Sequence, residues 1–143
     1  MSRILTQKDI DKLTDRQRVQ VAVYAAELVA DLVEAKYRPL VDECIETTKK
    51  WLKYEDETTA EECRHLSYAI DFDGSYVKIK NIAWAAGWAA WTVYHNNSYN
   101  TAETLGHAIN ASPNQQETID KIYIYYDNLL NVDKHIEEAF LGE

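Results

Sequence analysis

The segment from Ile82 to Tyr94, Ile-Ala-Trp-Ala-Ala-Gly-Trp-Ala-Ala-Trp-Thr-Val-Tyr, constrains this chain more than any other. It has no charge and holds three of the four tryptophans. In a helix, Trp84, Trp88 and Trp91 fall within about 60° of one another, because positions i, i+4 and i+7 share a face. Ile82, Ala86, Ala89 and Val93 line the other side. A helix apolar all round is stable only inside a bundle or a membrane, and about thirteen residues fall short of the roughly 20 a span needs. The segment therefore predicts a buried Trp/Ala-rich central helix in a helical bundle.

The rest of the chain supplies the helices around it. Thr14 caps a long run in which Val19, Ala22, Ala26, Val29 and Val33 make one apolar stripe, and Val21, Ala25, Leu28 and Leu32 a second. The remaining stripe, Gln20, Tyr24, Glu27, Asp31 and Glu34, is acidic with one aromatic. Pro39 opens a helix to about Tyr54, with Leu40, Val41, Cys44, Ile45, Thr48, Trp51 and Leu52 facing inward. After Glu55-Asp56-Glu57, Thr58 and Glu61 read as a capping box for a helix towards Ile70. Asp71 to Ser75 is the clearest break. The tryptophan helix then runs from near Ser75 to His95–Asn97, and a shorter one from about Asn100 to Ala111. Ser112, Pro113 and Gln115 read as cap, first position and box of a final helix. Only four glycines and two prolines punctuate 143 residues. The expectation is one all-α domain over residues 1–143, a bundle of about six helices, mostly antiparallel.

Composition narrows the function. Fifteen basic against 24 acidic residues give a net charge of −9, which argues against binding a nucleic-acid backbone and suits a basic partner. The N-terminus has no continuous apolar region, so a cytoplasmic location without membrane attachment is expected, with Cys44 and Cys63 as reduced thiols. Neither cysteine has a partner at metal-ligand spacing, and none of His65, His95, His107 and His135 lies in an H-E-x-x-H arrangement. There is no nucleophile elbow and no glycine-rich phosphate loop. No enzyme, metal or cofactor is expected.

Two side-chain groups suit protein binding. The first is the acidic set on helix edges and turns: Glu27, Asp31 and Glu34 with Tyr24, then Glu55, Asp56, Glu57, Glu61 and Glu62. Such a set speeds association with a basic surface and selects for it. The second is the ten tyrosines, among them Tyr123, Tyr125 and Tyr126. Successive helical positions diverge by about 100°, so one of these three, Tyr125 or Tyr123, is expected to be exposed.

Two blocks carry a family resemblance. Val23-Tyr24-Ala25-Ala26-Glu27-Leu28-Val29 continues to Glu34-Ala35-Lys36-Tyr37, Cys44-Ile45-Glu46 and Lys50-Trp51, resembling an Ala-Ala-x-x-x-Glu helix followed by a Glu-Ala/Thr-x-x-x-Trp helix. Ala83 to Trp91 followed by Gly106-His107-Ala108 resembles alanine-rich helices ending in a Gly-His element. In this succession the chain resembles bacterial immunity proteins of the Imm-5-like type over about residues 19–111. The three tryptophans, Asp71-Phe72-Asp73-Gly74 and the part from Ser112 onward depart from that pattern. The resemblance implies a non-enzymatic helical protein that neutralises a toxin or effector by binding it. One alternative is a phage- or plasmid-encoded inhibitor of a host defence nuclease, imitating phosphates with its carboxylates. Another is a small-molecule binder or enzyme with a pocket around Trp84, Trp88, Trp91 and His107. A homodimer through an exposed aromatic face is compatible with all three.

Overall fold

The computed structural model describes residues 5–33, 35–70 and 77–141, and the side chains of these except 68–70, 77–84, 87 and 132–141. Among the described residues are seven helices and no strand: α1 (Gln7–Asp11), α2 (Asp15–Ala30), α3 (Arg38–Tyr54), α4 (Glu57–Ile70), α5 (Val77–Tyr94), α6 (Ser98–Ala111) and α7 (Gln115–Leu141). The all-α bundle expected from the sequence is present, with one helix more than the six anticipated. None of the described helices is long and apolar enough to cross a membrane.

The additional helix is α1. Thr6 accepts a hydrogen bond from the Asp9 backbone N–H, and Asp9 accepts one from Thr6, a complete capping box around five residues. So short a helix is marginal alone. It is held by packing on α6 and by the Tyr126 hydroxyl of α7, which donates to the Asp9 carbonyl at 2.8 Å.

Thr14 caps α2 as expected, with Gln17 closing its box. The helix stops at Ala30, earlier than its apolar pattern suggests, and Asp31 is its C-cap. Leu32 therefore lies beyond the helix and is 47% exposed, not part of a second buried stripe. Glu34 lies outside the described residues, as do Asp71 and Asp73.

Two other caps differ from the sequence expectation. The α4 cap is Asp56, not Thr58: α3 ends on Glu55 in the left-handed region (φ 50°), and the Asp56 carboxylate then accepts from Thr59 N–H at 2.9 Å. Hydrogen bonds from Thr59 hold the Asp56 carboxyl below its usual pKa. The α7 cap is Asn114, which accepts from Glu117 N–H at 3.1 Å, not Ser112. Ser112 ends α6 instead, its hydroxyl donating to the Ala108 carbonyl at 2.7 Å.

Two helices form the centre. α2 packs on α3, α5, α6 and α7, and α5 packs on α2, α3, α4 and α6. On α2, residues Val19, Val21, Ala22, Val23, Ala25, Ala26 and Val29 are all buried. On α5 the buried arc is Ala85, Ala86, Ala89, Ala90, Thr92 and Val93. The tryptophan helix is thus central, but its small residues meet the core while Trp88 and Trp91 are half-buried. Small side chains let neighbouring axes come close, so even one added methylene on this arc overpacks it. Three fully buried threonines are admitted because each bonds within its own helix. Thr48 donates to Cys44, Thr92 to Trp88 and Thr104 to Asn100, at 2.7, 2.7 and 3.1 Å.

Candidate protein-binding surface

The acidic residues singled out in the sequence are distributed along the α2–α3–α4 side, and most carry a cationic neighbour. Glu27 meets Lys49 at 2.7 Å, Asp31 meets Arg38 at 2.8 Å and Glu55 meets Arg16 at 3.1 Å. Glu62 lies 3.9 Å from Lys50, and Glu61 lies 3.0 Å from Arg64. Asp56 is spent on its cap. Glu57 is exposed and makes no ion pair among the described residues. Carboxylates neutralised in pairs do not present the unbroken negative charge of a phosphate backbone. The exposed pairs add little to stability.

Tyr24, expected beside these carboxylates, is half-buried and stacked on Tyr125 of α7, with centroids 4.1 Å apart and planes 7° from parallel. Burial raises the Tyr125 hydroxyl pKa, and the Glu27 charge adds to the shift. Neither Tyr123 nor Tyr125 is exposed, contrary to the sequence expectation. Tyr123 is half-buried beside Tyr126, and Ile124 points outward, 59% exposed. Helix α7 lies against both α2 and α6, so the flanks of its inner face are covered as well as its centre.

A different surface draws aromatic side chains together. Trp88, Trp91 and His95, at helical spacings of three and four, lie on the side of α5 away from its buried alanines. Trp88 meets Tyr99 of α6 edge to face at 6.4 Å and 82°. Trp91 packs against His95 at 4.3 Å and Tyr94 at 6.2 Å, and Tyr94 meets His95 at 4.7 Å. The Arg64 guanidinium of α4 lies 5.0 Å over the Tyr94 ring. Tyr94 is 41% and Tyr99 55% exposed, so the cluster is a surface.

The α5–α6 corner that carries it is well tied. Asn97 caps α6 by accepting from Asn100 N–H, and the Asn100 amide donates to the His95 carbonyl at 2.7 Å. Asn96 donates to the Asp15 carbonyl at 2.8 Å and accepts from Arg18, linking the corner to α2. Rings held this way lose little freedom on binding a partner.

The small-molecule reading looks to a pocket around Trp84, Trp88, Trp91 and His107. Trp88 and Trp91 turn to the aromatic cluster, and the Trp84 side chain lies outside the described residues. His107 lies 3.6 Å from Glu103, and burial lowers its pKa. A small cleft of about 90 Å³ between α6 and α7 is lined by Leu5, Ala102, Leu105, Gly106, Ile109, Ile119 and Ile122. It holds no group for chemistry. Among the described residues no three His, Cys, Asp or Glu side chains come together as metal ligands.

From sequence, the tryptophans read as core and the acids as the site. The signal for the aromatic surface is that Trp88, Trp91 and His95 share a helical face with polar Tyr94 and Asn96 next to them in sequence, while the alanines occupy the other. No family model, curated protein or solved structure matches the chain.

Proposed function

We infer that this chain is a non-enzymatic, immunity-type protein that binds and neutralises a toxin or effector protein. The observation that carries the reading is the half-exposed aromatic surface of Trp88, Trp91, Tyr94, His95 and Tyr99 with Arg64 beside it. Tyr, Trp and Arg are the residues that anchor protein interfaces, and here they sit on a rigid corner. The resemblance to Imm-5-like proteins supports a toxin as the partner class. The acidic edge then has a second role. Glu57 and Glu61 share a face of α4 with Arg64, so the edge and the aromatic surface adjoin, and the net charge guides a basic partner to the anchors.

The test is co-expression with the protein encoded beside this chain, scored as growth of the producing cell. The wild-type chain is expected to protect, and the double variant Tyr94→Ala, Tyr99→Ala to lose protection while its thermal melt stays near wild type. Full protection by the double variant would refute the aromatic surface as the binding site.

A further inference from the structure

We propose that the aromatic surface is a seat for arginine and lysine side chains of a basic protein partner. This rests on the reading that the surface binds a protein, and it adds the chemistry of what is bound.

The chain already places one cation there. The Arg64 guanidinium lies 5.0 Å over Tyr94, a ring that is 41% exposed, so this surface accommodates a planar cation at the water boundary. Beyond Tyr94 the surface continues to Trp88 and Tyr99, and indole and phenol rings are the side chains that best attract cations. Carboxylates border the rings on both sides. On α4, Glu61 lies 3.0 Å from Arg64, with Glu57 one turn earlier on the same face. On α6, Glu103 is one turn after Tyr99. An acidic partner would meet like charge at Glu57, Glu61 and Glu103, and a second copy of this chain brings its own net charge of −9. The complementary partner is basic.

The full chain is titrated with a short peptide of alternating Arg and Ser, with a Glu–Ser peptide as control, followed by tryptophan fluorescence. The Arg peptide is expected to bind and the Glu peptide not. Tyr99→Leu should weaken binding about tenfold, the upper range of a partly desolvated cation–π contact. Tyr99 is exposed, so the fold should survive, which an unchanged melting curve verifies; Tyr94→Leu is a second probe. Glu57→Gln with Glu61→Gln should weaken binding more than Glu43→Gln with Glu46→Gln, which removes the same charge from the outside of α3. Equal loss from both acidic pairs, with Tyr99→Leu unchanged, would mean diffuse charge attraction and overturn the proposal. If toxin binding requires Tyr94 and Tyr99 but the Arg peptide does not compete with it, the surface stands as the interface and the cation chemistry falls.

Discussion

Tyr24 of α2 and Tyr125 of α7 lie ring on ring, 4.1 Å between centroids and 7° from parallel. This stack links α2 to α7 directly, supplemented by Gln17 donating to the Leu129 carbonyl at 3.4 Å. A double-mutant cycle of Tyr24→Leu and Tyr125→Leu in urea unfolding should give a coupling of about 0.5–1.5 kcal/mol. Strictly additive losses would mean that the stack contributes only buried area.

Glu55 is the only described non-glycine residue with positive φ, at 50°, where a Cβ is disfavoured. Its carboxylate bonds Arg16, but both side chains are about half exposed, so the pair is worth little. Glu55→Gly is therefore expected to leave stability unchanged or raise it by up to about 1 kcal/mol. A clear drop in the denaturation midpoint would show that the Arg16 pair outweighs the backbone cost.

Cys44 and Cys63 are free and fully buried between α3 and α4, and burial pushes both thiols up to about 12. Thiolate, the reactive form, is scarce at neutral pH, and reagent has no access. Labelling with a disulfide reagent should be slow and should follow unfolding as denaturant is added. Rapid labelling of the native protein would contradict this packing of α3 on α4.

Burial lowers the pKa of His107, against the opposing pull of Glu103. The unfolded chain takes up this proton near pH 6.5, the folded chain only at lower pH. Between those values the unfolded state holds more protons, so stability rises with pH. The contribution present above about pH 6.5 is lost as pH falls through the folded pKa. His107→Gln should flatten the pH dependence of the urea midpoint below about pH 6.5. Equal slopes for wild type and variant would contradict it.

Much of this fold was legible because apolar periodicity and capping chemistry are local. The Thr14 cap, Pro39 in the first turn of α3 and the alanine arc of α5 follow from spacing alone. What was lost depends on neighbours. Asp56 displaces Thr58 as a cap because α3 ends in a left-handed residue just before it, and Asn114 displaces Ser112 because that hydroxyl is engaged by α6. The site was less legible. Glu27, Asp31, Glu55 and Glu62 look like an unopposed acidic patch until α2, α3 and α4 bring Lys49, Arg38, Arg16 and Lys50 against them. Tryptophan on an uncharged helix reads as core, and only the packing of alanines on the other face turns Trp88 and Trp91 outward.

The affinity of the purified chain for the toxin proposed as its partner, measured by calorimetry on two double variants, tests the central claim most directly. Tyr94→Ala with Tyr99→Ala should weaken binding by 2 kcal/mol or more, roughly thirtyfold, as loss of anchoring aromatics does. Glu27→Gln with Asp31→Gln, which alters acids already paired to Lys49 and Arg38, should weaken it by less than about 1 kcal/mol. The reverse order would place the interface on the acidic edge and contradict the account.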